Sequence, residues 1–419
     1  MQRQRFTGLW QNPDFMRLWV GQTISVFGSM IGGTAMAFTA ILVLKATPFQ
    51  LGALAAARML PGFLIGLVAG VWVDRLRRRP ILIGADLGRA LVLASVPAAA
   101  IVGLLHIEQL YIVAFVVSML TIFFDVAYRT YLPSLVRRDE LLEGNSKLSA
   151  SASVAEFGGV SLAGWLVQIL AAPIAVLIDA ISFAISAVSV WLIRAPEKVE
   201  VREAEPDMRR EIAEGLHAIL RHPVLRAIAT CSLSESFFQG IYEALVVLYM
   251  ARNLGFQPGI LASIWALGGI SSFFGALAAG PVTRRMGIGP AMIFGLLLST
   301  ISAFFIPLAE GATLMAALLL ILAQCGDGAA TIYQINQVSL NQAIAPGQVL
   351  GRVNAGMKFV ALGATLAGAV VGGLLGSTMG VREALFLAAF GGILSTLWLV
   401  FSPVRNLRDA LPVEAEAEA

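Results

Sequence analysis

Charge is scarce in this chain. Asp, Glu, Lys and Arg make up 13% of its 419 residues and hydrophobic residues 58%, against about 25% charged in an ordinary soluble domain. That shortage excludes a water-soluble fold and makes lipid the expected solvent. Histidine and cysteine are nearly missing, at 3 and 2 residues. His106, His217 and His222 lie outside the apolar runs, and neither an H-E-x-x-H string nor a serine elbow occurs, so a membrane enzyme lacks its machinery. Cys231 and Cys325 both lie inside apolar runs and imply no disulfide framework. There is no G-x-x-x-x-G-K-[ST] string, which argues against ATP as the direct energy source. No cofactor or metal is implied. A net charge of +3 matters here by its placement, and nucleic acid is not an expected partner.

What is present is apolar length. Twelve runs of about 20 residues lie near 18–44, 51–73, 81–105, 109–128, 148–171, 173–193, 226–250, 259–281, 289–308, 312–335, 353–377 and 383–402. Each suffices to cross a hydrocarbon core of roughly 30 Å as a helix. The first run follows an Arg-bearing segment and exceeds a signal peptide's apolar region, so it reads as a retained helix. With both termini placed in the cytoplasm, inside segments carry 23 Lys and Arg and outside loops 3. That asymmetry sets the orientation. The fold class expected is an all-α membrane protein of twelve helices in two pseudo-symmetric six-helix halves. Residues 1–195 form the first half, 196–222 a cytoplasmic linker with a short surface helix, 223–405 the second half and 406–419 a disordered acidic tail.

The halves repeat. Phe49, Gln50, Gly52 and Leu54 recur as Phe256, Gln257, Gly259 and Leu261 at an offset of 207. Asn145, Gly159 and Gly164 recur as Asn354, Gly368 and Gly373 at 209. The fifth and eleventh runs, rich in glycine and alanine, read as close-packing faces that can also rock. In these registers Glu156 aligns with Thr365, Glu235 with Gly28, Glu243 with Met36 and Arg58 with Trp265, so each charge belongs to one half.

Ionisable groups inside spans are costly and are functional candidates by default. Glu156 and Glu235 fall near the midplane by residue count, a depth suited to proton coupling or cation binding. Glu243, two turns from Glu235, extends an acidic stripe; Arg58 is placed to pair with Glu243 or Asp179; and Asp327 makes the tenth span polar together with Gln324, Tyr333, Gln334, Asn336 and Gln337. Trp19, Phe38, Phe237, Phe238, Tyr242 and Trp265 are candidate cavity aromatics. Near the cytoplasmic ends, Gly70, Asp74, Arg75, Arg78, Arg79, Asp86, Arg89, Asp125, Arg129 and Arg352 form a gate candidate.

The stretch Gly70–Pro80, reading GVWVDRLRRRP between the second and third spans, resembles the loop signature of the major facilitator superfamily. The strings Asp86-Leu-Gly-Arg89, Tyr128-Arg-Thr-Tyr-Leu-Pro133, Asp179-Ala-Ile-Ser-Phe183 and Gly351-Arg-Val-Asn354 are similar to the bacterial exporter branch with macrolide-efflux and enterobactin-export proteins. The resemblance implies a secondary transporter of the bacterial inner membrane. It would be a proton-coupled antiporter exporting drug-like or siderophore-like molecules by alternating access, with Asp74 contacting the start of the eleventh helix. Expected partners are a small-molecule substrate, protons and membrane lipid, with the protein a monomer. A lipid flippase and a transport-inactive sensor or scaffold share the same architecture and stay open as alternatives.

Overall fold

In the computed structural model, residues 8–66, 72–73, 76–137, 140–195, 217, 219–344 and 350–408 are described. Twelve long helices account for nearly all of them: α1 Pro13–Phe38, α2 Pro48–Ile65, α3 Arg78–Ile101, α4 Ile107–Leu135, α5 Leu141–Leu170, α6 Ala172–Trp191, α7 Pro223–Leu248, α8 Pro258–Met286, α9 Ile288–Ala303, α10 Leu314–Ile344, α11 Leu350–Thr378 and α12 Val381–Val400. No strand occurs among the described residues. Among the described residues, eleven helices are long and apolar enough to cross a bilayer. The exception is α7, whose course carries Arg226, Glu235 and Glu243. Large apolar side chains such as Phe273, Phe274, Leu314 and Phe401 point outward, a surface that only lipid solvates. The expected linker helix, nearly all of the 196–222 linker, and the tail beyond residue 408 lie outside the described residues.

Helix starts are set by proline and caps. Asn12 accepts hydrogen bonds from the amides of Asp14 and Phe15 at 3.1 Å, and Pro13 follows at a position where no amide is needed. Asn12→Ala is expected to cost about 1 kcal/mol, read as a lower melting temperature of the purified protein in detergent.

The chain gathers into two compact units. Unit 1 comprises Met1–Ala46, Ala57–Ala204 and Gln257–Ser263; unit 2 comprises Thr47–Ala56, Glu205–Phe256 and Ile264–Ala419. In unit 1, α1 packs on α5 and α6, while α3 packs on α4 and α6. In unit 2, α7 packs on α11 and α12, while α9 packs on α10 and α12. Small residues make these crossings close. A Cβ on Gly28 or Gly32 of α1 would strike Ser182 or Asp179 of α6, and one on Gly240 of α7 would strike the Thr365 carbonyl of α11.

The units share one internal plan, and its register corrects the sequence alignment. Helix α1 ends in a π-helical turn, Thr39–Val43, and α7 in the π-helical turn Tyr249–Asn253. The amides of Leu44 and Ala46 bond back to Thr39 and Ala40, as those of Leu254 and Phe256 do to Tyr249 and Met250. Lys45 and Gly255 then take positive φ, 51° and 80°. All of these pairs are offset by 210, not 207. The Phe-Gln identities at 207 slide the match by three residues, nearly one helical turn, which preserves the apolar pattern and hides the slip. In the observed register Glu235 corresponds to Ser25, Glu243 to Gly33 and Arg58 to Gly268. The offset of 209 agrees with the starts of α5 and α11, and α6 and α12 are 20 residues each at the same offset.

Candidate functional site

In unit 1 a buried ion cluster forms where α3, α4 and α6 meet. Asp86 and Arg89 are one turn apart on α3, 0% and 3% exposed, and joined by a salt bridge. The Arg89 guanidinium lies 4.4 Å from the Phe124 ring centroid of α4 and 4.0 Å from that of Phe183 on α6, and donates to Thr121 Oγ1 at 3.3 Å. Its charge also acts on Asp125 and Asp179. Asp179, 4% exposed, accepts from Ser29 Oγ of α1 at 3.5 Å and from Ser182 Oγ at 3.4 Å.

Sequence counting places Asp86 and Arg89 at the cytoplasmic edge, and the structure moves them inward. Helix α3 starts at Arg78, three residues before the apolar run, so Arg89 stands about 16 Å along its axis. A D-x-x-R spacing inside a span was the available signal, since such a pair is tolerated only when its charges meet. The partner of Asp179 differs too. Arg58 lies about 3.9 Å from the place a Cβ on Gly33 would occupy, is exposed, and forms no ion pair among the described residues. Arg89 supplies the charge that acts on Asp179.

Glu156 is the sixteenth of the thirty residues of α5 and is exposed on unit 1. Of the gate candidates, Arg78 donates to Thr130 Oγ1 at 3.2 Å and Arg79 to the Trp191 carbonyl at 2.5 Å. Asp125 and Arg129 are exposed, one turn apart on α4. Gly70, Asp74, Arg75 and the side chain of Arg352 lie outside the described residues. The aromatic Phe38 is fully buried, so it is core and lines no cavity. Trp19 donates to Ser151 Oγ at 3.0 Å.

In unit 2, Glu235 is the thirteenth of the 26 residues of α7 and borders a cavity of about 70 Å³. Around it stand Phe238, Gln239 and Tyr242 of the same helix, Ser299 and Thr300 of α9, and Ala388, Ala389 and Gly392 of α12. Gln239 donates to Glu243 Oε1 at 3.3 Å. Glu235 makes no ion pair among the described residues. A separate polar seam joins Gln337 to Ser232 Oγ at 2.7 Å and Thr283 to Asn336 Oδ1 at 2.7 Å. Asp327, exposed on α10, faces Gly268 of α8 together with Gln324. The two acids of the expected stripe differ in surroundings: Glu235 borders the cavity with α9 and α12, while Glu243 is exposed and bonded to the cavity residue Gln239.

The family model described as Major Facilitator Superfamily matches residues 18–360. The multidrug efflux pump Tap of Mycolicibacterium fortuitum is 26% identical over 398 residues, spanning 90% of this chain and 94% of that protein. Macrolide efflux protein A of Streptococcus pyogenes is 24% identical over 246 residues, 58% of this chain and 60% of its own. Among solved structures, a bacterial homologue of the iron transporter ferroportin superposes with a TM-score of 0.74 at 17% identity, covering 92% of this chain and 98% of that one. At that identity the likeness is one of fold.

Proposed function

Because the chain belongs to the Major Facilitator Superfamily, a family of multi-pass membrane transporters of small molecules, we propose that it exports hydrophobic or amphipathic molecules by alternating access in exchange for protons. The observation that carries this reading is Glu235, a mid-helix carboxylate bordering a cavity with no cation beside it among the described residues. A carboxylate in that position is costly unless a proton or a cationic group meets it, which is what coupled exchange needs. The names of Tap and of macrolide efflux protein A support an efflux role. The excess of Lys and Arg on one side, 23 against 3, supports a bacterial inner-membrane placement with both termini cytoplasmic. Residues 1–195 and 223–405 would be the halves that rock, with the protein acting as a monomer. Glu156 is the second carboxylate proposed to carry protons or meet substrate, with Glu243, Asp327 and Arg58 as polar neighbours of the path.

The test is movement of a lipophilic cationic dye into inverted vesicles energised by a pH gradient. Wild type is expected to accumulate dye, and Glu235→Gln to lose gradient-driven accumulation while retaining its yield in the membrane; Glu156→Gln should lower it. Accumulation unchanged in both variants would remove these carboxylates from the coupling step. Wild type inert to dye but active in moving a labelled phospholipid between leaflets would favour the flippase alternative.

A further inference from the structure

The 210-residue register superposes two sites that the 207-residue register does not relate. Helix α1 corresponds to α7 and α3 to α9 at 210, while α6 corresponds to α12 at 209. Under those offsets Arg89 maps to Ser299, its neighbour Ala90 to Thr300, Phe183 to Gly392 and Asp179 to Ala388. These four unit 2 residues line the cavity beside Glu235, while Asp86 maps to Leu296, which lies in the core. Unit 1 fills this place with a guanidinium, an aromatic ring beneath it and carboxylates around it. Unit 2 has Ser299 and Gly392 where unit 1 has the cation and the ring, and it carries a carboxylate of its own, Glu235 of α7, where unit 1 has Ser25.

We propose that the Glu235 cavity of unit 2 is a binding site for a compact nitrogen cation, a guanidinium or primary ammonium head group, standing where unit 1 carries the side chain of Arg89. The inference rests on the reading of Glu235 as a functional carboxylate and adds the class of ligand that meets it. Size allows it: about 70 Å³ is several times the ~10–15 Å³ that one water needs on the same measure. Chemistry allows it as well. Glu235 supplies the charge, and the aromatic side chains of Phe238 and Tyr242 line the cavity beside it. Thr300 Oγ1 donates its proton to the Leu296 carbonyl at 2.9 Å, which leaves its oxygen free to accept from a ligand N–H. Helices α9 and α12 bring no charged side chain to the cavity, and the other acid acting on Glu235 is Glu243, whose sign reinforces attraction of a cation.

The probe is methylguanidinium chloride, titrated into detergent-purified protein at constant ionic strength held with choline chloride, with sodium chloride in a parallel arm and melting temperature as the readout. Wild type should show a saturable rise with methylguanidinium, beyond any effect of sodium. Glu235→Gln should lose the rise. Ser299→Arg, which restores in cis the cation of unit 1, should also lose it, and should melt higher than Ser299→Gln of similar polarity and lesser charge. No rise in wild type, a rise equalled by sodium, a rise that survives Glu235→Gln, or Ser299→Arg melting below Ser299→Gln would each overturn the site. Saturable binding without dye movement keeps the site and rejects the exporter; dye movement without binding does the reverse.

Discussion

Gly240→Leu is expected to destabilise unit 2 by about 3 kcal/mol, the upper end of the usual cost of overpacking, and so to deplete folded protein in a detergent extract. The reason is the α7–α11 crossing, where backbone meets backbone. A Cβ on Gly240 would strike the Thr365 carbonyl and come within 3.0 Å of the Ala369 amide; one on Gly368 would strike the Phe237 carbonyl; and one on Gly372 would lie 2.8 Å from Ile241 Cα. A side chain can rotate away from an intruder, but a hydrogen-bonded helical backbone cannot, so the two helices must separate along their length. Association of helices in lipid rests on such close contact, because the surrounding acyl chains are as apolar as the helices themselves. Gly84→Leu is the control: nothing lies within 4 Å of its Cβ position, and its melting temperature should stay near that of wild type. Equal melting of Gly240→Leu and Gly84→Leu would show that the crossing has slack.

Arg89→Met should cost about 3–5 kcal/mol, the range for removing one partner of a buried pair. The methionine fills the volume between Phe124 and Phe183, so what remains is the electrostatic loss: Asp86, fully buried, has no cation left, and Asp125 and Asp179 lose theirs as well. Asp86→Asn/Arg89→Met in one chain removes the most deeply buried of these charges and should recover part of the stability. The two variants are compared by thermal melting in detergent at one pH. If the double variant melts no higher than the single one, the buried charge of Asp86 is not what makes Arg89 necessary.

The apolar runs made the helices legible, because a bilayer imposes a length and admits few charges. The all-helical fold follows from that constraint, and the six-plus-six plan from the internal repeat and the polar linker between the sixth and seventh runs. Side-chain direction was less legible: residue counting gives depth along a helix but not the face, and the face decides that Asp86 and Arg89 are core while Glu156 and Glu243 are exposed. Phe38 illustrates the same limit, since an aromatic in a span reads alike whether it fills a core or lines a cavity. The repeat was visible in the wrong register. Phe-Gln identities carry the eye to 207, whereas Pro13, Pro48, Pro80 and Pro97 recur as Pro223, Pro258, Pro290 and Pro307, all at 210. Those prolines were the better guide, because proline is restricted to helix starts and bends and therefore marks backbone geometry more strictly than a shared apolar residue does. With 210 in hand, the match of Arg89 to Ser299 could have been written from the sequence.

Each unit borrows a short piece from a distant part of the chain: 257–263 belongs to unit 1 and 47–56 to unit 2. In unit 1 that piece is held by Gln168, which donates to Gln257 Oε1 at 2.9 Å and accepts from the Gly259 amide at 3.0 Å, and by Trp165, which donates to Ser263 Oγ at 3.3 Å. In unit 2 the Phe49 amide donates to Ser377 Oγ at 3.2 Å. The contacts that unit 1 makes with residues 257–263 therefore form only after the chain has been made that far. The last pieces of that unit arrive some sixty residues after α6, following all of α7, and the early residues 47–56 must wait for α11 before their own unit exists. Synthesis order and assembly order are interleaved. A cut between residues 204 and 205 leaves two fragments that each lack a segment of their own fold, so neither is expected to reach its native packing unless both are made in the same membrane.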